Sequence, residues 1–212
     1  CVHPCFFLDC IISIINIVRI RSQAANGILA LSENDLKKSP VRFLVSGWEF
    51  YPDALLTPEE IQDSDHYMRY LSIGEMSNFS SPAAPSPYGC GTYRMTFFLP
   101  ERKEAYAIEL PEVFSSYTLY LDHDRILQLG DPEQRIPLVQ NRMVTFYGGK
   151  PVTLTIAVSN YDHFYGGIVY PPAFGTMLAV NTTRGIRFAF CLFSCTVTFV
   201  CALLSFYFSR RM

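Results

Sequence analysis

Between its two apolar ends the chain has one cysteine, Cys90, one tryptophan, Trp48, and no cluster of basic residues. A single thiol cannot close an internal disulfide, and no CxxC or Cys/His spacing marks a zinc site, so packing must hold the middle of the chain together. The other six cysteines (Cys1, Cys5, Cys10, Cys191, Cys195, Cys201) lie in the apolar ends. From Ile28 to Thr183 there are 18 acidic and 11 basic residues, a difference of −7. A phosphate-binding face needs clustered Lys and Arg, which argues against nucleic acid as a partner. There is no nucleophile elbow, no phosphate loop and no pair of metal-binding histidines. Glycosidase chemistry needs two carboxylates across a cleft, and no pair stands out from the generally acidic surface. The chain reads as non-enzymatic, with no cofactor and no metal.

Charge is also missing from the run Phe188–Phe208, which is about as long as a helix needs to cross a bilayer. It reads as a transmembrane helix, flanked by Arg184 and Arg187 on one side and Arg210 and Arg211 on the other, with Tyr207 at headgroup level. The lipid bilayer is therefore the first partner that the sequence names. A second apolar stretch, Phe6 to Val18, is shorter and interrupted by Asp9. It resembles the apolar part of an export signal, with Ser22-Gln23-Ala24-Ala25 as a small-residue cleavage region; an uncleaved anchor and a buried helix are the competing readings. Signal and anchor alike would carry the middle of the chain across the membrane. The organisation is then 1–26 signal or anchor, 27–183 extracytoplasmic domain and 184–212 membrane helix with basic flanks.

The middle of the chain has a period of two. Tyr93, Met95, Phe97 and Leu99 fall on one face, and so do Val152, Leu154, Ile156 and Val158, with Thr153, Thr155 and Ala157 between them. Further strands fit Arg42–Phe50, Tyr106–Leu110, Tyr117–Asp122, Arg125–Leu129, Met143–Tyr147 and Phe174–Val180, separated by Pro and Gly turns. No long amphipathic helix interrupts them. The fold class is all-β, an antiparallel sandwich or jelly roll, followed by a single transmembrane α-helix. Thr57 to Tyr88, acidic and then rich in Ser and Pro, reads as a long surface loop.

Several landmarks recur in order: Gly47-Trp48-Glu49-Phe50-Tyr51, Gly89-Cys90-Gly91-Thr92-Tyr93-Arg94, Tyr117-Thr118-Leu119-Tyr120-Leu121-Asp122, and Val158-Ser159-Asn160 followed by His163, Gly166 and Gly167. Together they resemble the extracellular jelly-roll domain of bacterial receptors with seven transmembrane helices and diverse intracellular signalling modules. The resemblance runs from about Val41 to the C-terminus, because in that family the jelly roll leads directly into the first membrane helix. It implies a galactose-binding-like sensor domain, further membrane helices and an output domain. The sugar-binding sandwich of family 2 glycoside hydrolases is similar in its G-T-Y-R strand. Where that pattern has an Asn-Gly turn, this sequence has Leu121-Asp122-His123-Asp124.

Sugars are held by aromatic faces beside planar amides and carboxylates. Asn160, Tyr161, Asp162, His163 and Tyr165 form the densest such cluster, with Asp122 at a separate turn; these six are the candidate ligand contacts. Gly166 and Gly167 allow the loop to turn tightly. Trp48 and Tyr93 read as core, and Arg94 as a solvated or ion-paired residue on the opposite face. The leading reading is a ligand-sensing input region binding a carbohydrate-like small molecule, in which the short connector Asn181–Arg187 passes its state to the membrane helix. The alternatives are an adaptor that binds another envelope protein or its own twin as a homodimer, and the accessory domain of a glycoside hydrolase.

Overall fold

The computed structural model describes residues 24–63, 65–74, 79 and 86–211. The apolar stretch Phe6 to Val18, and with it the signal-or-anchor reading, lies outside the described residues.

Eleven strands form two sheets among the described residues. In chain order they are β1 (Ile28–Ala30), β2 (Val41–Phe43), β3 (Trp48–Pro52), β4 (Arg69–Leu71), β5 (Gly89–Phe98), β6 (Tyr106–Leu110), β7 (Ser116–Leu121), β8 (Asp124–Leu129), β9 (Arg142–Phe146), β10 (Val152–Asn160) and β11 (Ala173–Thr176). The larger sheet has the order β4-β3-β5-β10-β7-β8, with β1 alongside β5; the smaller has the order β2-β11-β6-β9. Every pairing is antiparallel except β1 with β5. That exception follows from length. β5 has ten residues, and β3 pairs with it only up to Arg94, which leaves Thr96 to Phe98 open to β1.

The two sheets face each other across an aromatic seam. Phe97 of β5 stacks on Phe174 of β11 at 5.3 Å between centroids and tilts against Phe146 of β9 at 5.7 Å, while Tyr106 of β6 stacks on Phe174 at 5.9 Å. The period-two sets predicted for β5 and β10 are buried as expected. Trp48 is fully buried too, and its indole N–H donates to the Leu44 carbonyl at 2.9 Å.

Three predicted elements differ from those observed, and one strand was not predicted. Arg42–Phe50 is two strands, not one: the chain leaves the smaller sheet after Phe43 and enters the larger one at Trp48. Gly47, at φ +80°, makes the switch; a Cβ there would collide with the Ala24 carbonyl. Thr57 to Tyr88 is more than a loop. It contains the helix α2 (Pro58–Asp63), following α1 (Glu33–Lys38), as well as β4 and the fully buried Phe79. β1, too short to show a period of two, went unpredicted. Finally, the strand proposed for Phe174–Val180 ends at Thr176, where a helix begins.

That helix, α3 (Met177–Ser209), is continuous over 33 residues. The expected connector Asn181–Arg187 is therefore helical, and the start of the helix moves from Phe188 to Met177. Thr176 caps it, its hydroxyl accepting the Ala179 N–H at 3.3 Å. At 1.5 Å per residue the helix is about 50 Å long, against about 30 Å for a bilayer's hydrocarbon core. By length and composition it can cross a membrane. The surplus turns lie against the sandwich: Val180 is buried, the Leu178 N–H donates to Glu104 at 3.0 Å, and Arg187 pairs with Glu109 of β6 at 2.6 Å.

Replacing Phe174 by Ala removes the shared member of the seam and should cost about 3–5 kcal/mol, read as a lower denaturation midpoint in detergent. Tyr117 is fully buried, among the described residues its hydroxyl has no partner, and burial pushes its pKa from 10 up to about 12. Between these values the unfolded chain releases a proton that the folded chain keeps. The Tyr117 contribution is therefore intact below pH 10 and is lost as pH rises to 12, by about 2–3 kcal/mol. Tyr117→Phe should flatten that part of the alkaline stability curve.

Candidate functional site

β10 is central in the larger sheet and delivers its last residue, Asn160, to one end of the sandwich. The Asn160 amide is committed there: Nδ2 donates to the Pro87 carbonyl at 2.7 Å and the His163 carbonyl at 2.6 Å, and Oδ1 accepts the His163 N–H at 3.1 Å. Asn160 thus closes its own loop and ties it to the segment leading into β5. His163 is half-buried, its Nδ1 accepting the Tyr165 N–H at 3.2 Å and its ring stacked on Phe114 at 4.7 Å. Phe114 also meets Tyr165 at 5.5 Å and Tyr170 at 6.2 Å. Gly167, at φ +80°, lies where a Cβ would strike the Tyr93 hydroxyl, so the loop is seated directly on the core.

Tyr161 is exposed, but Arg135 covers one face of its ring, with the guanidinium carbon 3.9 Å from the centroid. Cys90 lies beside the Tyr161 hydroxyl, and burial pushes its thiol pKa up. Asp162 and Phe164 face solvent. The loop and Phe114 therefore present an aromatic shelf of Phe114, His163, Phe164, Tyr165 and Tyr170, with the exposed Asp162 at its edge.

The structure brings five of the six candidate ligand contacts together and separates the sixth. Asp122 stands in the β7–β8 turn at φ +54°, its Oδ1 accepting the Thr153 N–H at 2.8 Å. The turn is tight, and this side-chain bond ties it to the neighbouring strand β10. Thr153 and Asn160 are seven residues apart on β10, about 23 Å at strand rise, so Asp122 is at the opposite end. There it borders a cavity of about 340 Å³ with Arg94, His123 and Lys150. Arg94 is ion-paired with Glu49 at 3.4 Å, and His123 with Glu59 at 2.7 Å. Trp48 and Tyr93 pack edge to face at 6.3 Å within the core. Among the described residues no group of three or more side chains could hold a metal ion.

Sequence reasoning missed Phe114, Tyr170 and Arg135. Phe114 and Tyr170 are isolated aromatics outside any strand, and Arg135 reaches Tyr161 only because its own turn adopts φ +63°. No local pattern signals either arrangement.

No protein-family model matches the chain, and no curated protein matches it by sequence. Solved structures do resemble it. A family 2 glycosyl hydrolase from Bacteroides cellulosilyticus DSM 14838 superposes with a TM-score of 0.51 at 13% identity, over 65% of this chain and 20% of the hydrolase. A family 2 glycosyl hydrolase from Bacteroides cellulosilyticus gives 0.50 at 12% identity, with the same coverage of 65% and 20%. Bacteroides uniformis beta-glucuronidase 3 gives 0.49 at 12% identity, over 65% and 22%. The chain thus spans about a fifth of these enzymes' length. At this identity the likeness is one of fold: an antiparallel β-sandwich of the kind that family 2 glycosidases contain.

Asn160→Ala leaves the Pro87 and His163 groups unpaired. It should cost about 1–3 kcal/mol and raise amide hydrogen exchange at Tyr161–Gly167 above that of β10.

Proposed function

We propose that the chain is a non-catalytic sensor module tethered to a membrane. Its sandwich faces away from the cytoplasm, binds a carbohydrate-like small molecule, and passes its state to α3 as the input region of a bacterial signalling receptor. The observation that carries this reading is the continuity of α3. One end is fixed to the sandwich by the Thr176 cap, the buried Val180 and the Arg187–Glu109 pair, while the rest is apolar and exposed. Within that apolar part the Thr196 and Thr198 hydroxyls donate to the Leu192 and Ser194 carbonyls, so they need no water. A ligand that prefers one arrangement of the sandwich would move a rigid rod with no slack at its root.

The fold shared with family 2 glycosidases favours a second reading, an accessory domain of a carbohydrate-degrading enzyme. The exposed Phe164 and Tyr170 suit an adaptor that meets another protein or a second copy of itself.

Two measurements test the proposal. In intact bacterial cells, Phe164→Cys should react with a membrane-impermeant maleimide, and Arg211→Cys only after lysis; the opposite pattern ends the receptor reading. A Gly-Gly-Ser-Gly-Gly insertion between Arg187 and Phe188 should leave ligand affinity unchanged and abolish ligand-dependent changes of a spin label at Phe199→Cys. Unchanged spin-label responses would rule out coupling through the helix.

A further inference from the structure

The outer face of the larger sheet carries a cavity that the sequence does not announce. Its floor is Thr118 of β7 and Ala157 of β10, small residues paired across the strands. One wall is the segment Leu55 to Glu60, which runs into α2, and the other is the turn Asp131 to Glu133. Tyr120, Arg125 and Gln128 complete it, and its volume is about 370 Å³, within the range of small-molecule sites.

We infer that this cavity is the seat of a neutral saccharide of one or two rings. Three observations carry the inference. First, Thr118 is only 7% exposed and lines the cavity, so the little of it that remains accessible faces that space. A hydroxyl at the floor of a cavity and open to it is placed to hydrogen-bond whatever fills that cavity. Second, the polar groups around it are planar and partly pre-positioned. Gln128 donates to the Gly130 carbonyl at 3.2 Å and accepts from Arg125 at 3.4 Å, while the Asp131 carboxylate holds its own turn through the N–H groups of Glu133 and Gln134, both at 3.0 Å. Tyr120 adds a half-buried aromatic ring with a hydroxyl. Amide, guanidinium and carboxylate groups beside one aromatic ring match the alternating hydroxyls and C–H faces of a sugar. Third, Glu60, Asp131 and Glu133 outnumber Arg125. That balance repels uronates, sulfated sugars and phosphates.

The cavity also meets the aromatic loop. Arg135 extends from the turn that forms one wall and lies on Tyr161, which makes Tyr161 a positioning residue for that wall. The inference rests on the carbohydrate-binding part of the proposed function.

The test is saturation-transfer NMR on the full chain in lipid nanodiscs, with glucose, galactose, mannose, N-acetylglucosamine and cellobiose as probes and glucuronate as the charged comparator. At least one neutral sugar should receive saturation, and glucuronate should not. Thr118→Val, which keeps the shape and removes the hydroxyl, should weaken binding by roughly threefold to tenfold. Gln128→Trp, at an exposed rim position, should block the cavity and abolish binding without touching the core. Tyr147→Ser, exposed in the β9–β10 turn, should leave affinity unchanged. Binding that survives Thr118→Val and Gln128→Trp but is lost in Phe164→Ser overturns this seat while keeping the ligand-binding reading. Preference for glucuronate also overturns it. Silence from every sugar overturns both the seat and the carbohydrate reading, whereas the maleimide experiment tests the membrane topology independently.

Discussion

The stack of Phe97, Phe146, Tyr106 and Phe174 is the contact on which the rest of the structure depends. It is drawn from four strands, and it is where the smaller sheet is held against the larger one. Aromatic pairs contribute about 0.5–1.5 kcal/mol each beyond the area they bury, so the seam is stronger than its area alone suggests. Phe174 stands only two residues before the cap of α3. The same side chain therefore closes the sandwich and sets where the helix leaves it. With no disulfide available to the domain, packing at this point has to hold the position of the helix.

The outer face of the larger sheet shows a second consequence of sequence length. β10 is central and paired on both sides, and its inward residues Leu154, Ile156 and Val158 are buried as any sandwich requires. Its outward residues Thr155, Ala157 and Ser159 are buried as well. Residues of the 53–63 segment lie over them: the Leu56 N–H donates to Thr92 at 2.9 Å, and Tyr51, Leu56 and Ile61 make a small apolar cluster of their own. A strap laid over small side chains leaves gaps on either side of it. The two cavities on this face are those gaps.

Much of this was legible in the residue order. The period of two on β5 and β10, the buried tryptophan, the ion-paired Arg94 and the sandwich itself all follow from alternation and turn residues, which act locally. The helix boundary was missed for a physical reason. Met177-Leu178-Ala179-Val180 has the apolar character of a strand, and only the Thr176 cap and the docking of Val180 on the sheet decide for a helix. Asn160 was legible as a special residue but not as one whose amide is consumed within the fold. Hydrogen bonds to Pro87, 73 positions away, leave no local trace. Thr118 was hidden for the opposite reason: in sequence it is an ordinary outward strand residue, and its significance arises only from what folds over it.

The rooting of α3 has a geometric corollary. A helix advances 100° per residue, and between the Thr176 cap and the Arg187–Glu109 pair it makes about three turns with no flexible joint. The number of residues in that interval is therefore an angular setting. One residue more or fewer would swing the sandwich about a quarter-turn around the rod, and three or four would restore its heading at a different height. Evolutionary change in this stretch should come in whole turns, as in a screw thread that seats properly only after complete revolutions.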